Sequence, residues 1–208
     1  MNIINLDSWN SYGKALDESL RAILAGEMII YPTDTIYGIG ANATDENAVR
    51  RINEAKGREN KPISIVVSDF SMMKRYCKTD NVSFALLQQL FPGPVTGIFV
   101  KSYDFPKEIT KTDAIGIRIP CHQFALSIVR KLDLPITSTS ANLSGGKSPK
   151  TVKEVPEKLG EMAKVVVDGG RCQYGVESTI IDFTKDSPCI ARQGADSERI
   201  SSIIHSVG

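Results

Sequence analysis

The sequence predicts an α/β protein in three layers, a twisted mixed sheet covered by helices, and three observations carry that expectation. Segments with apolar residues at three- and four-residue steps interleave along the chain with short β-branched runs. At 208 residues, 41% hydrophobic and 24% charged, the chain can bury a full core and falls near the size at which one domain is the default, so a single domain over residues 1–208 is expected. The last two strand-like runs follow one another with no helix between them, which makes the sheet mixed.

The first helix, residues 11–25, rests on the stripe Ala15, Leu16, Leu20, Ile23 and Leu24, and Gly26 stops it. The apolar run at 28–31 suits a buried strand closed by Pro32, and residues 32–42 read as a loop rich in Thr, Asp and Gly. Residues 45–55 repeat the helical spacing, 62–67 (PISIVV) form a β-branched strand, and KGREN connects them. Helices follow at 69–76 and 81–90, the second ended by FPGP, then strands at 95–100 and at 115–119, where Pro120 terminates IGIRI. A helix at 123–132 leads to a short strand at 135–138 that empties into the polar loop STSANLSGGKSP. The remaining expectations are a helix at 151–159, a strand at 164–167, a Gly-rich turn at 168–170, strands at 177–183 and 188–192, and a helix at 197–206.

Charge and cysteine usage exclude several classes. The 25 basic and 24 acidic residues leave a net charge of +1, so any anion site must be a local cluster rather than a molecule-wide field. Cys77, Cys121, Cys172 and Cys189 are scattered without a CxxC pair, and only His122 and His205 could join them, so free thiols and no metal site built from protein side chains are expected. The N-terminus lacks a basic segment followed by an apolar run, and no stretch approaches the ~20 apolar residues that span a bilayer, so a cytoplasmic location is expected.

Five polar segments fall at strand ends, where α/β proteins bind ligands. In KGRENK, Lys56, Arg58 and Lys61 could grip a polyphosphate, Arg as a fork and Lys as a point charge, or form a solvated basic turn; no Walker-type motif is present. In TSTSANLSGGKS, the hydroxyls of Thr137, Ser138, Thr139, Ser140, Ser144 and Ser148, with the amide of Asn142, could receive phosphate oxygens or serve an ordinary Ser/Gly connection. Arg118 is a lone cation in an apolar strand and needs an anion, either a ligand carboxylate or an internal partner such as Asp34, Asp113 or Glu177, unless it reaches the surface. Thr33, Asp34 and Thr35 form a strand-end turn, Glu177 and Ser178 open a strand, and Arg192 lies near the C-terminus. With no GxSxG, no paired histidines and no Cys–His nucleophile, catalysis would rest on positioning and charge neutralisation.

Taken together, YPTDTIYGIG, KGR, PGPVT, IGIRIP, STSANLSG and ESTIID occur in the order found in YrdC-like domains, and from about residue 26 to 192 the chain resembles the threonylcarbamoyl-AMP synthase family in its single-domain form. The diagnostic part is a KxR plus SxN tetrad, matched by Lys56, Arg58, Ser140 and Asn142. The resemblance implies a YrdC-like fold and condensation of ATP, L-threonine and bicarbonate to threonylcarbamoyl-AMP and pyrophosphate, for threonylcarbamoyladenosine modification of tRNA. It places the nucleotide on Lys56, Arg58, Ser140, Asn142, Ser148 and Arg192, with Lys56 and Arg58 catalytic through their charge, and threonine on Thr35, Arg118, Ser138 and Ser178. Mg2+ would arrive with ATP, and tRNA or a tRNA-modifying transferase complex would be a partner. The chain departs from the family pattern at Lys61, where asparagine commonly stands, at Val66, where histidine is expected, and at Ala114, where threonine is often found. Two other readings share the fold: a double-stranded RNA- or tRNA-binding paralogue using Lys56, Arg58, Lys61, Arg118 and Arg192, and a carbamoyltransferase module like those of larger hydrogenase-maturation proteins.

Overall fold

A computed structural model of the chain describes residues 2–57 and 61–206. In chain order the elements are β1 (Ile3–Asn5), α1 (Trp9–Leu24), β2 (Ile29–Tyr31), β3 (Gly38–Gly40), α2 (Glu46–Lys56), β4 (Ser64–Val66), α3 (Phe70–Tyr76), α4 (Phe84–Leu90), β5 (Val95–Val100) and β6 (Ala114–Arg118). There follow α5 (Gln123–Leu132), β7 (Ile136–Ser140), α6 (Glu157–Met162), β8 (Val165–Asp168), β9 (Thr179–Asp182), β10 (Cys189–Arg192) and α7 (Ser197–His205). The strands form one ten-stranded sheet in the order β1-β8-β2-β3-β7-β4-β6-β5-β9-β10. Among the described residues four pairs are parallel (β1 with β8, β8 with β2, β4 with β6, β5 with β9) and the other five antiparallel, so the mixed α/β architecture is as expected.

Register divides the central sheet into two chemically different faces. Ile39 pairs with Thr139, Ile65 with Thr137 and Ile117, and Gly97 with Ile117 and Ile181, which puts Ile39, Ile65, Ile117 and Ile181 on one side, all completely buried. Each such isoleucine contributes about 1.5–3 kcal/mol through burial. The alternate residues Gly38, Ser140, Ser138, Ser64, Arg118, Thr96, Ile180 and Arg192 follow the same pairings onto the other side. A single sheet thus has an apolar face that holds the fold and a polar face that can hold a ligand.

Helix ends follow local chemistry. In α1 the Ser8 hydroxyl and Ser11 form a reciprocal capping box, which starts the helix two residues before the apolar stripe indicates. In α2 the Asp45 carboxylate accepts from the amides of Asn47 and Ala48, and Gly57 ends the helix with φ 59°, a left-handed conformation that favours glycine. That stop positions Lys56 as the last helical residue.

Four expectations need correction. β1 was not anticipated, because three residues give too little periodicity to detect. The loop expected at 32–42 contains β3; its glycines have low strand preference, yet a Cβ on Gly40 would lie 2.9 Å from the Tyr31 ring, so glycine is what lets β2 and β3 pair here. The polar loop expected after residue 138 begins later, since β7 runs through Ser140. The helix expected at 151–159 is split by Pro156 into a 3-10 turn, Val152–Glu154, and α6, because proline disfavours helical backbone in the residue before it. No helix among the described residues is long and apolar enough to cross a membrane.

Candidate functional site

On the polar face a cavity of about 220 Å³ is lined by Thr33, Ser64, Thr96, Arg118, Ser138, Ser140, Glu177, Ser178 and Arg192, among others. A larger cavity of about 670 Å³ lies between the end of α2 and the 107–112 segment, lined by Arg50, Lys61, Lys107 and Lys111 together with Glu54 and Glu108. Of the described residues considered for a ligand, only Lys61 lines the larger one, whereas Arg118, Ser138, Ser140, Ser178 and Arg192 all line the smaller. The smaller cavity is the candidate site on chemistry, and Pro62 borders both.

Arg118, at the end of β6, is the buried cation of the site. Its side chain is 5% exposed and Nη2 donates to Asp34, whose carboxylate is completely buried. The other Asp34 oxygen accepts from the Cys121 amide at 3.2 Å. The internal partner considered for Arg118 is therefore Asp34, supplied by the turn after β2. Arg118 Nε remains buried with no hydrogen-bond partner. A buried donor left unmet costs about 1–3 kcal/mol, so a ligand carboxylate or other acceptor reaching it would be held strongly.

The Ser-rich strand and its loop are held by Lys56. Its ammonium donates to the Ser140 carbonyl, to the Asn142 carbonyl at 2.8 Å and to Asn142 Oδ1 at 3.1 Å. The residue is 3% exposed, so these bonds are made away from water. Lys56, considered for a polyphosphate, thus also acts as a strut that fixes the backbone at 140–142. The Lys56 carbonyl also accepts from the Ser144 amide at 3.0 Å. Asn142 Oδ1 receives the Ser140 hydroxyl at 2.5 Å, and its amide donates to the Gly146 carbonyl. Lys56, Ser140 and Asn142 therefore meet as the KxR and SxN motifs suggested, while Arg58 lies outside the described residues.

The third wall comes from the approach to β9 and from β10. A Cβ on Gly194 would fall 2.6 Å from the Ser178 carbonyl carbon and press on the Glu177 carbonyl oxygen, so only glycine lets the chain run this close. The Ala195 amide donates to the Glu177 carbonyl at 2.7 Å and Thr179 Oγ1 donates to the Ala195 carbonyl at 2.8 Å. This clasp brings Arg192 to Ser178, with Nη2 donating to its carbonyl at 2.7 Å. Ser178 Oγ lies 2.8 Å from Thr96 Oγ1. Ser148 donates to Glu177 Oε1 at 2.6 Å, and Glu177 Oε2 lies 3.6 Å from Arg192 Nη1.

Thr35 is placed differently from the expectation. It is completely buried, with its hydroxyl 3.0 Å from that of Thr33, and Thr33 is the one that lines the cavity. Ser64, Thr96 and Glu177 were not assigned to either ligand by sequence. Ser64 and Thr96 carried a weak signal, as single hydroxyl residues inside otherwise apolar strands. Val66 shares the polar face through its pairing with Arg118, and Ala114 begins β6.

Burial keeps the neighbouring titratable groups neutral. The Tyr31 hydroxyl is pushed up to about 12, chiefly by desolvation. Burial is also the main cause holding the Cys172 thiol at about 11. His122, beside Arg118 in space and sequence, is lowered from its ordinary value, first by burial, with the Arg118 charge adding to this and Asp34 opposing it. No cluster of three or more His, Cys, Asp or Glu side chains able to hold a metal is present among the described residues.

A mixed sheet carrying an arginine- and hydroxyl-lined cavity defines an α/β protein with a candidate site whose chemistry suits an anionic ligand. The family model Sua5/YciO/YrdC, described as "Telomere recombination", matches residues 21–194, and the chain belongs to that family. It is 39% identical over 175 residues to threonylcarbamoyl-AMP synthase of Pyrococcus abyssi, covering 83% of this chain and 52% of the relative. The protein of that name from Bacillus subtilis is 35% identical over 203 residues, covering 95% of this chain and 59% of the relative. The solved structure of P. abyssi Sua5 complexed with L-threonine superposes with a TM-score of 0.91 at 36% identity, over 98% of this chain and 61% of that one. The chain thus spans about half to three fifths of the length of these proteins.

Proposed function

We propose that this chain is an L-threonylcarbamoyladenylate synthase, a nucleotidyltransferase that makes threonylcarbamoyl-AMP and pyrophosphate from ATP, L-threonine and bicarbonate for modification of tRNA. The observation that carries the reading is Arg118: a buried guanidinium anchored on Asp34, with Nε unmet, on a 220 Å³ cavity ringed by hydroxyls. A cavity of that size suits an amino acid, and the names and threonine complex of the relatives support the choice of threonine.

In this reading the threonine carboxylate meets Arg118, and its hydroxyl and amine face Ser138, Ser178 and Thr33, with Thr35 holding Thr33. The nucleotide extends along the 140–148 loop towards Ser140, Asn142, Ser148 and Arg192, with Lys56 setting the loop and Arg58 adding charge. The substrate is the magnesium complex of ATP, whose metal the phosphates carry. The threonine amine condenses with bicarbonate, losing water, to give a carbamate; a carbamate oxygen then attacks the α-phosphorus, and pyrophosphate leaves. Alignment and offset of phosphate charge supply the acceleration. The product is then handed to tRNA or to a transferase complex acting on it.

The test is pyrophosphate release by purified protein with ATP, Mg2+ and bicarbonate, with and without L-threonine and with L-serine as control. Threonine-dependent release with an adenylate detected by mass spectrometry is expected. RNA binding without release would overturn the proposal in favour of a binding paralogue.

A further inference from the structure

Glu177 is the only acidic side chain among the described residues lining the 220 Å³ cavity, where Arg118 and Arg192 are the cations. Both its oxygens are engaged, one by the Ser148 hydroxyl at 2.6 Å and the other by Arg192 Nη1 at 3.6 Å. Ser148 and Arg192 are two of the groups assigned above to the nucleotide. An anion belonging to the protein therefore already occupies the arms that would take a phosphate. The backbone cannot carry it away, because the Glu177 carbonyl accepts from the Ala195 amide at 2.7 Å and Gly194 lies against it. The side chains of Arg192 and Glu177 are 42% and 45% exposed, so their ion pair is weak and open to exchange.

A phosphate arriving on Ser148 and Arg192 must share the space with this carboxylate. A metal-free triphosphate meets a like charge there, whereas a magnesium-bound one brings a cation that a carboxylate attracts directly or through water. With no three-ligand cluster among the described residues, one carboxylate beside substrate phosphates is the kind of contact Mg2+ accepts. We infer that Glu177 is a specificity-determining residue that makes this pocket favour metal-bound polyphosphate over the metal-free form. The inference rests on the reading of the pocket as a nucleotide site.

Calorimetry decides it. Wild type and Glu177→Gln are titrated with ATP, and separately with inorganic tripolyphosphate, each in Mg2+ and in EDTA. In wild type the metal-free Kd should exceed the Mg2+ Kd by about tenfold or more, and in Glu177→Gln that ratio should drop by about fivefold or more through tighter metal-free binding. Glu177→Asp, which keeps the charge, should retain most of the wild-type ratio, and matching thermal melts establish that all three proteins are folded. An unchanged ratio in Glu177→Gln, or weaker metal-free binding, overturns the inference while leaving the nucleotide reading standing. If wild type binds neither probe in either condition, the nucleotide reading itself fails and takes the inference with it.

Discussion

Replacing Asp34 by Asn tests whether the Arg118 anchor is energetically what its geometry indicates. The carboxylate is completely buried and accepts on both oxygens, from Arg118 and from the Cys121 amide. Asparagine has nearly the same shape but turns one acceptor into an NH2 group, so either Arg118 or the Cys121 amide is left facing a donor. Breaking one half of a buried ion pair costs about 3–5 kcal/mol, because the surviving charge stays desolvated without compensation. The lower end, about 3 kcal/mol, applies here, since the asparagine oxygen still serves one donor. With an m-value of roughly 2–3 kcal/mol/M, the urea midpoint should fall by about 1 M or more, and the melting temperature by about 6–12 °C. Urea denaturation followed by circular dichroism measures this, with Arg118→Met and the double variant completing a cycle. The double variant should be more stable than the sum of the single losses by about 2 kcal/mol or more, since it leaves neither charge alone. A loss below 1 kcal/mol for Asp34→Asn, or strict additivity in the cycle, would refute the reasoning.

Three further outcomes are expected. Lys56→Ala should weaken ATP binding more than threonine binding and Arg118→Ala the reverse, because Lys56 holds the 140–142 backbone while Arg118 lines the cavity proposed for the smaller ligand; equal effects by calorimetry would contradict the site map. Of the four cysteines, exposed Cys121 and Cys189 should react with a disulfide reagent in the native protein at pH 8, while Cys77 and Cys172, whose thiols burial raises to about 12 and about 11, should react only on unfolding; four fast thiols would mean that the core around them is open. Because the folded His122 titrates below its ordinary 6.5, the unfolded chain binds the extra proton first, so its contribution is intact above pH 6.5 and declines as pH falls from there to the lowered folded value. His122→Gln should flatten that part of the stability curve, and an unchanged pH dependence would assign it to other groups.

Local signals gave most of the helices and strands their places: the stripe of α1, the Asp45 cap and Gly57 stop of α2, and the proline ends of β2 and β6 are all short-range chemistry. The site itself is long-range. Asp34 and Arg118 are 84 residues apart, Lys56 and Asn142 are 86 apart, and Ser148 and Glu177 are 29 apart, so their meeting depends on a strand order that no local pattern encodes. The motif resemblance brought several of these residues to one list, but it could not say that Lys56 would serve the loop from inside or that Thr33, rather than Thr35, would line the cavity.

The polarity of the residues after Ser138 suggests a loop, yet Thr139 and Ser140 continue β7, which sits between β3 and β4 near the middle of the sheet. A central strand has its backbone groups met by both neighbours, so its side chains carry no obligation to be polar, and packing on both faces would favour Val or Ile. Hydroxyls there stabilise little unless one face borders a cavity, and pairing Ser138 with Ser64 and Ser140 with Gly38 is what removes bulk from that face and opens it. Arg118 and Thr96, equally out of place in apolar strands, fall on the same face for the same reason. Polar residues inside interior strands, here Ser64, Thr96, Arg118, Ser138 and Ser140, are thus a telling mark of the candidate site, legible in the sequence once strand and face are known.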